Sequence, residues 1–416
     1  MLDINFIREN PDKVKDSTAK KQMDPGLVDQ LLDADKKYRE LLQQVESIRA
    51  ERNTLTKDDR DRGKSIKQQL SQLQPQLKDL KQKILELHLQ IPNLVHPEAP
   101  VGKNESENKI HRVVGEPTMF NFSPKDHLNL GKSLDLIDFE AGAKVAGSQF
   151  YYLKNEAVLL EFALIQYALD FLIKQEFIPV ITPDLARSRY YLGTGYLPRG
   201  NEAQTYEIKD QDLGLIATAE VTMAGYHADE VIPESELPQK YVAVSHCFRQ
   251  EAGAYGKFSK GLYRVHQFTK VEMFAFTTPE QSNDMHLNFL DMEEKLWQGL
   301  NIPYRVVEMC SGDLGGMAAR KFDLEAWMPG KGEHGEWGEV TSTSNCTDYQ
   351  ARRLNIKYRQ PDKSLYYVHM LNGTAIAVST RGILSILENY QQADGSIVIP
   401  EVLQKWVGKD IIKQNK

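Results

Sequence analysis

Apolar residues recur every three or four positions along residues 28–92, and this spacing predicts two long amphipathic helices. The first series is Leu31, Ala34, Tyr38, Leu41, Val45, Ile48, Arg52 and Leu55, and the second is Ile66, Leu70, Leu73, Leu77, Leu80, Ile84, Leu87 and Ile91. Such heptads keep one apolar stripe against a partner helix. The short polar break at 58–63 therefore predicts an antiparallel coiled-coil hairpin of two helices, each of about 28 residues. Pro75 predicts a kink or one lost hydrogen bond in the second helix.

From about residue 110 onward, short β-prone runs alternate with helical stretches and glycine-rich turns. Gln239–Cys247 and Tyr263–Phe276 predict two strands, which the polar segment between them would join as an antiparallel pair. Arg381–Gln391 predicts a helix. The fold class is therefore α+β, with an N-terminal helical hairpin domain at 1–105 and a second domain at 106–416.

The net charge of −7 excludes a protein that binds nucleic acid through bulk positive charge, but it leaves room for a local basic patch. A secretory signal or membrane span is not expected, because the N-terminus lacks a basic-then-apolar pattern and no sufficiently long apolar run occurs. Cys247, Cys310 and Cys346 are widely separated, which fits a reducing, cytoplasmic compartment. Walker and dinucleotide fingerprints are missing, so any use of ATP requires another fold.

Polar residues crowd one predicted face of the strand Tyr263–Phe276. Strict alternation would bring together Arg264, His266, Phe268, Lys270 and Glu272. Taken alone, this face fits a solvated edge strand as well as a binding site. On the preceding strand, Arg249 and Glu251 would share that surface. Arginines suit phosphate oxygens and a phenylalanine offers a platform for a purine, so the combination favours a nucleotide site.

These residues carry a recognisable pattern. The run 247–256 followed by 261–268 resembles motif 2 of the class II aminoacyl-tRNA synthetases, in the version found in the seryl-tRNA synthetases of bacterial or organellar type. The agreement covers nearly the whole chain and includes a motif 1-like segment at 177–183 and further matches at 218–220, 270–272, 338–342, 345–353, 371–374 and 388–395. The resemblance implies a catalytic domain with a mostly antiparallel β-sheet flanked by helices, and a homodimer.

The resemblance also implies a role for each matching residue. The implied ATP-binding residues are Arg249, Gln250, Glu251, Arg264, Val265, His266, Phe268, Glu339, Val340, Thr341, Ser342 and Arg381. The implied serine-binding residues are Thr218, Ala219, Glu220, Arg249, Glu272, Asn372 and Thr374. Arg249 and Arg381 would be catalytic, and Glu339 and Ser342 would hold Mg²⁺. One extra residue between Thr374 and Arg381 predicts a bulge there.

The hairpin has two interpretations. Heptads alone favour a coiled-coil spacer or a rod for binding another protein. Its tip and second helix, however, carry a net charge of +4 over 57–83, from the basic residues Lys57, Arg60, Arg62, Lys64, Lys67, Lys78, Lys81 and Lys83 set against four acidic ones. The resemblance implies that this arm grasps tRNA(Ser), and that tRNA(Sec) is also charged.

The expected activity is a serine–tRNA ligase that forms seryl-adenylate from L-serine and ATP and esterifies the 3′ end of tRNA. Two alternatives remain open at this point. A related synthetase could load a non-tRNA acceptor, although the arm argues against this. A non-catalytic regulatory scaffold could retain the fold, although the intact set of arginines and glutamates argues against that.

Overall fold

The computed structural model describes residues 1–56, 58–196, 205–251 and 261–414. Contacts divide the chain into two compact units, Met1–Val95 and His96–Lys416. This division falls shortly after the hairpin, and the domain limits 1–105 and 106–416 remain a prediction. In the described ranges, no helix combines the length and the apolar character needed to cross a membrane.

The helices are α1 (Ile4–Glu9), α2 (Pro11–Lys20), α3 (Gly26–Thr54), α4 (Arg60–Gln90), α5 (His127–Ser133), α6 (Phe139–Ala146), α7 (Glu156–Ile173), α8 (Ser188–Thr194), α9 (Glu220–Tyr226), α10 (Pro279–Gly299), α11 (Tyr349–Leu354), α12 (Ile383–Asn389) and α13 (Glu401–Val407). The strands are β1 (Lys109–Val114), β2 (Ile137–Asp138), β3 (Tyr152–Leu153), β4 (Ile178–Ile181), β5 (Leu185–Ala186), β6 (Tyr206–Glu207), β7 (Gly214–Leu215), β8 (Val231–Pro233), β9 (Gln239–Phe248), β10 (Gln267–Thr277), β11 (Tyr304–Glu308), β12 (Arg320–Met328), β13 (Glu336–Asn345), β14 (Lys357–Arg359), β15 (Leu365–Tyr367), β16 (His369–Ala377), β17 (Ile397–Val398) and β18 (Ile411–Ile412).

The predicted helical hairpin is present in the first unit. Val45 of α3 is buried against Ile66 and Leu70 of α4, and Leu55 and Leu73 pack on the same cluster. These contacts join residues near the end of one helix to residues near the start of the next, as an antiparallel pair requires. Helix α4 continues through Pro75 to Gln90, so the proline does not end the helix.

The second unit is built on an eight-stranded sheet with the order β1-β11-β12-β13-β16-β10-β9-β4. Every pairing in it is antiparallel except that between β4 and β9, which is parallel. Helices α7, α10, α12 and α13 pack with the central strands in one core. Leu164 of α7, Phe289 of α10, Leu403 of α13 and Ile376 of β16 are examples of its buried residues. The predicted α+β class and the mostly antiparallel sheet are confirmed.

Two predicted boundaries are wrong, and both lie at the site. Strand β10 begins at Gln267 rather than Tyr263, because Gly261–Tyr263 forms a 3-10 turn that opens at Gly261, whose φ of +69° lies in the left-handed region. The predicted helix at 381–391 instead begins as a π turn at Val378–Gly382 and continues as α12 to Asn389. A β-bulge lies between Thr374 and Ile376 where β16 pairs with β10, as the extra residue in this segment predicted.

Candidate active site

A cavity of about 350 Å³ lies over β10, β13 and β16 of the central sheet. The predicted residues that line it are Arg249, Glu251, Arg264, Val265, Phe268, Glu339, Val340, Thr341, Ser342, Arg381, Glu220, Glu272, Asn372 and Thr374. These side chains come from segments more than 150 residues apart in the chain. The structure therefore brings most of the predicted ATP and serine residues to one place.

Four predicted residues do not line this cavity. Gln250 donates to the carbonyl of Thr205 at 2.8 Å, and Ala219 is fully buried. Thr218 lies behind Glu272, to which it is hydrogen-bonded. The predicted shared face of His266 and Phe268 is wrong, because residues 264–266 precede the strand: Val265 lines the cavity, whereas the His266 ring stacks on Phe150.

Strand pairing positions the end of the cavity that contains Glu272. Phe268, Lys270 and Glu272 alternate along β10 and therefore face the same side of the sheet. Thr374 of β16 lies directly opposite Glu272 in the register. The separation of these side chains is consequently set by backbone hydrogen bonds of the central sheet, which holds them rigidly.

A bulge positions the other end. The register between β12 and β13 shifts so that Leu324 pairs with Thr341 and Glu325 with Glu339. In a regular strand, residues three apart face opposite sides, but here both Glu339 and Ser342 line the cavity. The shifted register thus allows one carboxylate and one hydroxyl to serve the same site.

Arginines surround the aromatic platform. The Arg249 guanidinium lies 5.1 Å from the centre of the Phe268 ring, and Arg264 forms a 3.1 Å ion pair with Glu251. Arg381 stacks 3.8 Å over the ring of Tyr263 and donates to the carbonyls of Tyr263 at 2.6 Å and Glu339 at 2.9 Å. Burial lowers the pKa of Arg381. Three guanidinium groups beside a half-buried ring are suited to a nucleotide phosphate chain.

Glu272 is held through both of its carboxylate oxygens. Its Oε1 lies 2.8 Å from Lys270 Nζ, while its Oε2 accepts from the Thr218 hydroxyl at 2.5 Å and the Glu220 amide at 3.2 Å. Lys270 also donates to Thr218 at 2.7 Å. Sequence reasoning placed Lys270 on this face but gave it no role, since the alternation of one strand identifies a face and not a partner.

Glu220 is held from two sides. Gln350 Nε2 donates to its Oε1 at 2.6 Å, and the Tyr196 hydroxyl donates to its Oε2 at 3.3 Å. Burial, and secondarily the charge of Glu272, raises the pKa of Glu220 to about 7. Sequence reasoning missed both Gln350 and Tyr196. Gln350 stands within the matched run 345–353, but its contact with a residue 130 positions away leaves no local signal.

The residues around Glu339 suit a divalent cation whose coordination sphere is completed by a bound substrate and water. Among the residues that the structure describes, no group of three His, Cys, Asp or Glu side chains could hold a metal alone. Mg²⁺ usually takes one or two carboxylates and fills its octahedron with waters and substrate phosphates. Glu339 and Ser342 provide such a partial site next to the arginines. Nearby, burial raises the pKa of Asp323 to about 7 against the opposing effect of Lys321.

Comparison with known proteins agrees with this geometry. Residues 205–390 match the family model of the tRNA synthetase class II core domain (G, H, P, S and T). The antiparallel sheet and its arginine-lined cavity thus define a class II aminoacyl-tRNA synthetase. Residues 1–95 match the seryl-tRNA synthetase N-terminal domain. The chain belongs to the seryl-tRNA synthetase family, whose members are ATP-dependent ligases.

Similar proteins cover the full length. Two enzymes named serine–tRNA ligase are each 51% identical: that of Dictyoglomus turgidum, with 100% of both chains covered, and that of Rubrobacter xylanophilus, with 99% of both. The seryl-tRNA synthetase of Pyrococcus horikoshii, solved with ATP, is 42% identical and superposes with a TM-score of 0.92 over 100% of both chains. The cytoplasmic serine–tRNA ligase of Naegleria fowleri, solved with AMP, gives 36% and 0.89, covering 100% of this chain and 99% of that one.

Proposed function

We propose that this protein joins L-serine to ATP as seryl-adenylate and then transfers the seryl group to the 3′ end of tRNA(Ser). The observation that carries the proposal is a buried acidic pocket, formed by Glu220 and Glu272, which adjoins the arginine-lined part of the same cavity. A small hydroxylated amino acid and a nucleoside triphosphate could therefore meet there. The ATP in the solved relative from Pyrococcus horikoshii supports the choice of nucleotide.

In the proposed first step, adenine stacks on Phe268 with Glu251 as its polar partner, and Arg249, Arg264 and Arg381 contact the phosphates. The serine carboxylate attacks the α-phosphate and pyrophosphate leaves. No general base is needed, because this carboxylate is already ionised near neutral pH. Catalysis by these residues is then positioning and charge neutralisation. Mg²⁺ bound beside Glu339 and Ser342 would neutralise further phosphate charge.

Serine selection in this proposal depends on the acidic pocket. The ammonium group of serine binds near Glu272, which also forms an ion pair with Lys270. The hydroxyl binds near Glu220 and Thr374, with Asn372 close by. Alanine would leave these polar groups without a partner, and a site built around a hydroxyl strongly rejects an analogue that lacks it.

The arm supports a nucleic-acid partner. Arg60, Arg62, Lys64, Lys67, Lys78, Lys81 and Lys83 are all exposed, whereas Lys57 lies outside the described residues. At 3.6 residues per turn, positions 60, 64, 67 and 78 of α4 share one side of the helix. A row of cations fits a phosphate backbone and neutralises it locally. The proposal extends to tRNA(Sec) on family resemblance alone, and the cytoplasmic location likewise stays a prediction.

A homodimer is also part of the proposal. Strand β4 lies at the edge of the large sheet, and it exposes Ile178 and Ile181, the latter with 86% of its surface accessible. In the same unit, Phe162 of α7 is 66% exposed. Exposed apolar residues on an unpaired sheet edge favour association, and the motif 1-like segment contains this strand.

Serine-dependent exchange of pyrophosphate into ATP, followed by charging of purified tRNA(Ser), tests the proposal. We expect both activities, with serine the preferred amino acid. Exchange without charging of tRNA would favour an enzyme that loads another acceptor. If the protein shows neither exchange nor charging, the result would favour a non-catalytic scaffold and would overturn the proposal.

The arm is tested separately. Deleting residues 36–88 should spare exchange, because the cavity belongs to the other unit, and should abolish charging. A milder variant replaces Lys64, Lys67 and Lys78 with glutamate. Its matched control makes the same lysine-to-glutamate change at three exposed positions of the second unit, Lys132, Lys144 and Lys363. Equal charging by the two triple variants would contradict the proposed role of the arm.

A further inference from the structure

A buried histidine lies outside the active-site cavity but next to the turn that shapes it. His127, the first residue of α5, is 7% exposed, and its Nδ1 lies 2.8 Å from Oε1 of Glu388 on α12. Glu388 is 2% exposed, and its two oxygens also accept from the backbone amides of His127 at 3.1 Å and Gly330 at 2.9 Å. The carboxylate is thus surrounded by donors, so the His127 Nδ1 carries a proton and donates it.

The other ring nitrogen meets a donor. The backbone amide of Leu262 donates to His127 Nε2 at 3.1 Å. A backbone N–H can only donate, so Nε2 must be unprotonated. The two neighbours together fix one neutral tautomer, with its proton on Nδ1. Because Leu262 is fully buried, its amide would have no water to replace His127.

Leu262 belongs to the turn that holds Arg381. The Arg381 Nη1 donates to the carbonyls of Tyr263 at 2.6 Å and Leu262 at 3.4 Å, and its guanidinium lies on the Tyr263 ring. Gly261, which opens this turn, has a φ of +69°, and a Cβ added there would lie 2.2 Å from His127 Nε2. The histidine and the turn are therefore in close packing contact as well as hydrogen-bonded.

We propose that His127 is a positioning residue for ATP: in its Nδ1–H tautomer, oriented by Glu388, it fixes the Gly261–Tyr263 turn and through it the guanidinium of Arg381. This inference rests on the proposed function, because it assigns Arg381 to the phosphates of ATP. His127 itself does not line the active-site cavity. Its effect is on the geometry of an arginine whose acceptors are the carbonyls of that turn.

Two substitutions separate this role from simple stabilisation. The amide of asparagine reaches the position of ring Nδ1, so His127→Asn keeps a donor to Glu388 and removes the acceptor for Leu262. The amide of glutamine reaches the position of Nε2, so His127→Gln can supply an oxygen to Leu262. We expect the Asn variant to weaken ATP binding about tenfold and the Gln variant to stay near wild type.

The readouts are the Kd for ATP with Mg²⁺, by titration calorimetry on the full chain, and the serine KM in pyrophosphate exchange. The serine KM should stay unchanged in both variants. Equal ATP affinity in the two variants, or an ATP affinity of His127→Asn equal to wild type, would overturn the inference alone. A wild-type protein that binds ATP but shows no exchange would overturn the proposed activity and leave the histidine's role standing. If wild type binds no ATP, both fall.

A measurement on the wild-type protein covers the case in which His127→Asn does not fold. In protein labelled with ¹⁵N-histidine, the signal absent from His127→Gln identifies His127. It should report a protonated Nδ1 and an unprotonated Nε2 that accepts a hydrogen bond. A proton on Nε2 would overturn the inference.

Discussion

Replacing Glu220 with glutamine should flatten the pH dependence of folding in a defined window. Glu220 is 5% exposed, and burial, followed by the charge of Glu272, raises its pKa from 4.5 to about 7. Each tenfold change in proton affinity is worth about 1.4 kcal/mol, so the rise corresponds to about 3 kcal/mol. Glutamine never ionises, and its amide oxygen can still accept from Gln350.

The direction in which stability changes with pH depends on whether the folded or the unfolded state holds the proton of Glu220. Between pH 4.5 and about 7, the folded protein keeps the proton that the unfolded chain has lost. The stabilisation from protonated Glu220 is thus complete below pH 4.5 and is lost as the pH rises through 7. From pH 5 to pH 8, wild type should lose about 2 to 3 kcal/mol more than Glu220→Gln.

Tryptophan fluorescence during urea unfolding measures this loss in the full chain. All four tryptophans, Trp297, Trp327, Trp337 and Trp406, lie in the second unit, so the signal reports on the unit that contains Glu220. The control is Glu140→Gln, since the side chain of Glu140 is 88% exposed. The reasoning is refuted if wild type and Glu220→Gln change stability equally over this range, or if the variant loses more.

Three further perturbations test other parts of the site. Lys270→Met leaves the buried Glu272 without its cation, so fluorescence-monitored unfolding should show a loss of about 3 kcal/mol and serine KM should rise; unchanged stability would contradict the ion pair. Gln350→Leu removes the 2.6 Å hydrogen bond that orients Glu220, so the preference for serine over alanine in exchange should fall about tenfold with ATP KM unchanged; an equal loss with both amino acids would argue against this. Ile181→Asp places a charge on the exposed edge strand, so light scattering should show a monomer; a persisting dimer would exclude this edge as the interface.

Local pattern determined much of the fold. The heptads identified the hairpin because the apolar stripe of a coiled coil comes from residues in consecutive turns of one helix. The strand Gln239–Cys247 was recognisable because its β-prone residues are adjacent in the sequence. The start of β10 was not predictable in this way. There the chain turns at Gly261 against His127, a residue from a distant segment.

The candidate site divides in the same manner. Residues such as Arg249 and Glu339 could be named because they stand in recognisable motifs, and the structure brings them to one cavity. The contacts that set the chemistry of the two buried glutamates could not be predicted. There is an ion pair between Lys270 and Glu272 and a hydrogen bond from Gln350 to Glu220, and both form only once strands and helices have packed.

The central claim is that this chain attaches serine to tRNA(Ser), and aminoacylation tests it most directly. Purified full-length protein would be incubated with ATP, Mg²⁺, tRNA(Ser) and each amino acid in turn, and the 3′-terminal nucleoside would be analysed for its ester. The account predicts serine on the 3′ end of tRNA(Ser) and none on a tRNA for a different amino acid such as phenylalanine. An absence of serine ester with tRNA(Ser), or efficient attachment of another amino acid, would contradict it.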